Sequence, residues 1–362
     1  MNLRIPGPTP CPDAVLQASA QQMVNHRGPE FAQVLRRVTD GLNWVFGSST
    51  DVLSLTTSGT GGLEAAVVNT LSPGDRVLSI SIGSFGDRLR NIAKTYGAEV
   101  VPYTLEWGEA ADPEVVGRML DEDTGIRAVL VTHNETSTGV TNPLEAIAAE
   151  VRRRDRLIIV DAVSSMSSIP CPVERWGLDV VVSGSQKGWM VPPGLAFLYL
   201  SERAWAANAE ARMPRFYFDA ARHRDSLAKL QTPWTPAISI YFGMDRAFEL
   251  MRAEGLEGIF TRHEAVARYT RERVRSMGLS LVPVDERYAS NTVTAVWWPE
   301  GVDGKALSRR AREEYGVVLG GGQGKLEGKI FRVGHLGWVT QEDVAAALDV
   351  VERLLTEARA LA

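Results

Sequence analysis

Two textures alternate along the first 240 or so residues. Runs rich in Val, Ile, Leu and Ala, with little polar interruption, fall at 52–57, 76–82, 99–103, 127–132, 157–160, 180–183 and 196–200. Segments with helical spacing lie between most of them, at 61–69, 88–96, 113–120 and 144–153. Strands without period-2 alternation are buried on both faces, and strands separated by helices connect in parallel. The pattern predicts an α/β fold on a mainly parallel seven-stranded sheet. In such sheets ligands bind beyond the carboxyl ends of the strands. Ser58, Phe85, His133, Asp161 and Gln186 each stand at or just past the end of an apolar run, so they should share one edge.

After Tyr241 the texture changes. A helical pattern runs from 238 to 277, followed by short apolar runs at 279–284, 292–298 and 330–333, a helix near 305–315 and a last helix over 341–361. This is an α+β pattern. The expected division is an arm and large domain over 1–250 and a smaller carboxyl-terminal domain over 251–362. The proline-rich stretch Ile5-Pro-Gly-Pro-Thr-Pro10 reads as an extended arm, because proline fixes φ and disfavours helix in the residue before it.

Composition narrows the class. A net charge of −5 offers no basic patch, which argues against nucleic acid. No apolar run approaches the roughly 18 residues of a membrane span, and residues 1–12 contain no apolar signal core. Cys11 and Cys171 are the two cysteines. They make neither a disulfide framework nor a zinc site, so no metal is expected, and they suit a reducing, cytoplasmic setting.

The candidate chemistry lies at the strand ends. Asp161 closes one apolar run, and Lys187 follows the next within Ser183-Gly-Ser-Gln-Lys187. A lysine amine can form a Schiff base with an aldehyde, and a carboxylate can keep a pyridine nitrogen protonated. The pair suggests pyridoxal phosphate. Ser58-Gly-Thr-Gly-Gly62 follows a strand and opens a helix, where first-turn N–H groups and hydroxyls can hold an anion. It is neither a Walker loop nor a complete dinucleotide fingerprint. Each residue also has a plainer reading. Asp161 could cap a helix, Lys187 could be solvated, Thr136 could be a turn hydroxyl, Phe85 a core residue and Arg332 a surface arginine on an edge strand.

Taken together, these motifs resemble the class V aminotransferases of the pyridoxal phosphate fold type I superfamily, with most likeness to the alanine–glyoxylate and serine–glyoxylate group. The resemblance runs from the arm at Gly7 through Ser58-Gly-Thr-Gly61, Thr132-His-Asn-Glu-Thr-Ser-Thr-Gly139, Val160-Asp-Ala-Val163, Ser183-Gly-Ser-Gln-Lys187 and Gln231-Thr-Pro-Trp-Thr-Pro236 to Phe331-Arg-Val-Gly-His335. It implies that Lys187 carries the cofactor and shuttles protons, and that Asp161 pairs with the pyridinium. Val163 and Phe85 would flank the ring, and Thr136 would meet its oxygen. Thr60, Gly61, Gly62 and Gln186 would bind phosphate, joined by Gln231 and Thr232 from the partner of a homodimer. Arg332 would clamp a substrate carboxylate. The implied reaction is ping-pong transamination between a small amino acid, such as alanine or serine, and a 2-oxo acid, such as glyoxylate or pyruvate.

Alternatives on the same scaffold are phosphoserine, ureidoglycine or aminophosphonate transamination, or a non-catalytic subunit that keeps the fold. His26 and Arg27, in Asn25-His-Arg-Gly28, resemble an element of phosphoserine aminotransferases and keep an acidic substrate in play. Cys11 and Cys171 lie beside prolines in the first half of the chain and offer no desulfurase nucleophile.

Overall fold

The computed structural model describes residues 1–361. Thirteen strands occur among them: β1 (Asn2–Arg4), β2 (Leu53–Thr56), β3 (Arg76–Ser81), β4 (Glu99–Thr104), β5 (Ile126–Thr132), β6 (Asn134–Glu135), β7 (Val140–Thr141), β8 (Leu157–Asp161), β9 (Val180–Gly184), β10 (Leu195–Leu200), β11 (Val293–Trp297), β12 (Val317–Gly321) and β13 (Ile330–Gly334). Seven form one sheet in the order β2-β10-β9-β8-β5-β3-β4. Only β10 runs antiparallel to its neighbours. Every residue of β8, β9 and β10 is buried, which accounts for the missing alternation.

Helices cover this sheet. The helix Gly59–Thr70 is buried along nearly its whole length. A Cβ at Gly62 would lie 2.7 Å from Val182 Cγ1 and 2.9 Å from the Ala196 Cβ. Glycine there lets the helix settle directly on β9 and β10. Because β2, β3, β5, β8 and β9 point the same way, the segments that follow them emerge on one edge. That edge receives Ser58, Phe85, the loop 133–139, Asp161 and Lys187.

Four strands form a second sheet in the order β1-β12-β13-β11. The first strand of the chain thus pairs with one of the last, Asn2 beside Val317. The larger apolar core has members from Val15 to Ile259, and a second runs from Val266 to Leu355. Two details differ from the pattern read in the sequence. The helical stretch 238–277 is two helices, Ile238–Glu254 and Leu256–Ser276, broken where Gly255 turns to φ 76°. The run 279–284 makes only a bridge, Leu281 to Val296. Pro283 has no N–H for a ladder, and Val284 is 78% exposed.

Candidate active site

A cavity of about 340 Å³ opens at the carboxyl edge of the large sheet, lined by Thr60, Phe85, Asp161, Val163, Gln186 and Lys187 together with Ser58, Gly59, Leu63, Arg88, Pro193 and the arm residues Gly7 and Pro8. Its size falls in the small-ligand range of roughly 300–1,000 Å³. Lys187 is 9% exposed, and its Nζ donates to the Pro6 carbonyl at 2.6 Å. The arm is clasped to the same loop: Thr9 N–H donates to Gln186 O at 3.1 Å, and its hydroxyl donates to Lys187 O at 2.9 Å. Gly7 has φ 135°, and a Cβ there would sit 2.7 Å from Lys187 Nζ. Only glycine allows the arm to pass so close to the amine.

Burial sets the charges. Desolvation brings the Lys187 amine down to about 8, with Asp161 opposing and the cations Arg332 and Arg88 assisting. Desolvation likewise pushes Asp161 up to about 6, against its acceptance of the Val163 N–H at 3.0 Å and the pull of Lys187 and Arg88. A buried amine with lowered basicity is a usable nucleophile, and the carboxylate nearby favours a protonated partner.

A stability prediction follows from Asp161. Below pH 4 it is protonated in both folded and unfolded chains and costs nothing. Between pH 4 and 6 the unfolded chain releases its proton first, so folding is increasingly penalised. The penalty is complete above pH 6. Asp161 is 4% exposed, so little solvent screening applies. The cofactor-free Asp161→Asn protein is therefore expected to be more stable than the wild type at pH 7, by at most ~2–3 kcal/mol, and equal to it below pH 4. Melting temperatures across pH 4–8 check this. A less stable variant at pH 7 contradicts it.

In the glycine turn expected to hold phosphate, two of the backbone donors are occupied within the chain. Gly61 N–H donates to the Ser58 hydroxyl at 3.3 Å, and Gly62 N–H donates to the Ser58 carbonyl at 3.0 Å. Both glycines are engaged within the turn and pressed against Thr57 and the sheet. The first N–H groups of the helix, those of Gly59 and Thr60, have no partner inside it, and Thr60 lines the cavity. Gln186 lines the cavity as well, and its amide Nε2 is the group that can donate to an anion there. An aldehyde-bearing aromatic phosphate fits this set: an amine, an acid, the apolar side chains of Phe85 and Val163, and unpaired first-turn N–H groups at a helix start.

Thr136 and Arg332 adjoin the cavity without lining it. Arg332 Nη1 donates to the Thr136 carbonyl at 2.8 Å and Nε to the Gly321 carbonyl at 2.8 Å. Burial lowers the Arg332 guanidinium to about 10, with Glu135 opposing. Gln231 and Thr232 are not brought to this chain's own cavity. They lie with Arg27, whose Nη1 donates to Gln231 Oε1 at 3.0 Å and to the Thr232 carbonyl at 2.7 Å. Arg88 escaped the sequence reading. Its Nη1 donates to Thr60 Oγ1 at 3.2 Å, and its guanidinium stacks 4.8 Å from the Phe85 ring centre. Its position three residues after Phe85, on the same helical face, was the available signal.

The family model described as aminotransferase class-V matches residues 3–328. The chain belongs to the class V aminotransferase family. It is similar to the serine–glyoxylate aminotransferase of Methylorubrum extorquens, 35% identical over 98% of this chain and 91% of that protein. It is also similar to a soluble hydrogenase small subunit of Synechococcus sp., 43% identical over 98% of this chain and 93% of the other. A solved alanine–glyoxylate aminotransferase from Nostoc sp. has a TM-score of 0.94 and 33% identity, covering 98% of this chain and 94% of that one. The class V aminotransferase has the fold of pyridoxal-phosphate transaminases, and pyridoxal phosphate is its cofactor. Among its described residues no helix is long and apolar enough to cross a membrane.

Proposed function

We propose that the protein catalyses ping-pong transamination between a small amino acid, alanine or serine, and a 2-oxo acid, glyoxylate or pyruvate. The observation that carries this reading is the buried Lys187 amine, of lowered basicity, in the same cavity as Asp161. Pyridoxal phosphate, when bound, supplies an aldehyde for amines and a ring that takes up electrons from the substrate α-carbon.

Each residue of the chain then has a task. Lys187 Nζ would hold the cofactor, and once free its amine would move the proton at the substrate α-carbon. Asp161 holds a proton on the ring nitrogen. Phe85 and Val163 pack the two ring faces, and the Thr136 hydroxyl meets the ring oxygen. Thr60 and Gln186 hold the phosphate, with Gly61 and Gly62 shaping the turn beneath it. Arg332 binds the substrate carboxylate with a two-pronged donor set.

Gln231 and Thr232 act in the second site of a homodimer in this reading. Their tie to Arg27 supports delivery of the segment as one block, as does Phe216, 65% exposed and stacked on Trp234. A division near residue 250 into large and small domains, and a cytoplasmic location suited to the free Cys11 and Cys171, complete the proposal.

The name of the Synechococcus relative, a hydrogenase subunit, favours a second reading, a subunit that keeps the fold without turnover. One experiment separates them. The visible spectrum of the protein loaded with pyridoxal phosphate is recorded, then alanine, serine, phosphoserine and glutamate are added separately. Transamination predicts a yellow band that one donor bleaches to the pyridoxamine form. A protein that takes up no cofactor, or whose band no donor changes, supports the subunit reading.

A further inference from the structure

Glu135 is a fully buried carboxylate that no part of the proposed chemistry uses. Its Oε2 accepts the N–H groups of Phe85 at 3.1 Å and Gly86 at 3.0 Å. Its Oε1 accepts the N–H of Ser137 at 3.1 Å and the Ser137 hydroxyl at 2.6 Å. The Ser137 oxygen in turn accepts the N–H of Ser84 at 3.0 Å. The first three N–H groups of the helix Ser84–Thr95 are thus satisfied from a loop some fifty residues later in the chain. Helix starts are ordinarily capped by a neighbour in sequence, but Gly83 makes no side-chain cap here.

The fit is close: a Cβ at Gly83 would lie 2.5 Å from Glu135 Cγ and 2.4 Å from Ser137 Oγ. Every partner of the carboxylate is a donor, so the ionised form suits the site although burial pushes its pKa up. A negative charge at a helix start also meets the positive end of the helix dipole. Thr136, flanked by these two residues, gives its carbonyl to Arg332 at 2.8 Å.

We propose that Glu135 is a positioning residue. Through its hold on the 84–86 backbone it sets the Phe85 ring, and through the 135–137 loop it sets the Thr136 carbonyl that aims Arg332, so ring slot and carboxylate clamp are placed by one side chain. This rests on the roles proposed above for Phe85 and Arg332. The hydrogen-bonded geometry can be tested independently of them.

The test uses Glu135→Gln. Glutamine keeps the shape but offers one acceptor and one donor group to four donors, so one side of the arrangement must open. Hydrogen exchange at residues 84–86 of the cofactor-free protein reads the geometry. Affinity for pyridoxal phosphate reads the ring slot, and KM against kcat for the active donor reads the clamp. The expected result is exchange about 10-fold faster at 84–86, and cofactor Kd and donor KM each raised about 10-fold, as for loss of one charge-assisted hydrogen bond. The fall in kcat is expected to be smaller.

A lowered melting temperature with unchanged Kd and KM would show a merely structural residue and overturn the proposal, as would unchanged exchange. If Glu135→Gln does not fold, Ser137→Ala, which removes one link at each end, must move the same three readings in the same direction. Should the wild type bind no cofactor, the functional reading fails, and slow exchange at 84–86 that Glu135→Gln relieves still reports the proposed geometry.

Discussion

Replacing Lys187 with alanine is expected to lower the transamination rate by on the order of 10²–10⁴-fold, the usual worth of a positioned proton-transfer group. The loss should appear in kcat in single-turnover mixing with the preferred donor. It should not come from unfolding. The amine is buried and its basicity is brought down to about 8, so at neutral pH the folded chain bears the penalty of a desolvated charge. Removing it relieves that penalty, and the cofactor-free variant is expected to melt no lower than the wild type. The same variant should lose the yellow band of cofactor joined to lysine while still taking up the phosphate through Thr60 and Gln186. Turnover at the wild-type rate in Lys187→Ala would remove the lysine from the mechanism.

The second large effect is expected at Arg332. In Arg332→Lys the planar fork is replaced by a point charge that cannot make two parallel bonds to a carboxylate. It also cannot keep both the Thr136 and Gly321 carbonyls satisfied from the positions that Nη1 and Nε now hold. A charged hydrogen bond is worth about 1.5–3 kcal/mol, so KM for the amino acid should rise ~10–150-fold, with a smaller change in kcat. An amine of the same shape without a carboxylate provides the control. It should react slowly with both proteins and show little difference between them. Equal KM values for wild type and Arg332→Lys would mean that the clamp lies elsewhere.

The sequence made some of this site visible and hid the rest for physical reasons. Asp161, Phe85 and Lys187 each follow a β-rich run, and a parallel sheet carries all such ends to one edge, so their meeting could be read from pattern alone. The place of Thr60 at the cavity was legible because it opens the helix that follows β2. Gly61 and Gly62 share that motif, yet their N–H groups are turned to Ser58. Which amides of a tight turn face outward depends on how closely the helix meets the sheet, here at Val182 and Ala196. Arg88 lay hidden as one more arginine on a polar helix face. Glu135 was hidden more deeply, because nothing local distinguishes a buried carboxylate from a solvated one. Its burial is matched by the Phe85 and Gly86 N–H groups, brought by the helix that follows β3. The break at Gly255 and the pairing of β1 with β12 likewise turn on contacts between distant segments, which periodicity does not record.

The arm that passes Lys187 has its two ends in different parts of the fold. It is anchored in the second sheet through Asn2–Arg4 beside Val317–Leu319 and laid against the amine at Pro6 and Gly7. Those few residues act as a taut cord between a sheet completed late in the chain and the reactive nitrogen. Any loosening of the second sheet slackens the cord and uncovers the amine, whose lowered basicity comes first from burial, so the amine's titration is a sentinel for the integrity of the layer that anchors the arm.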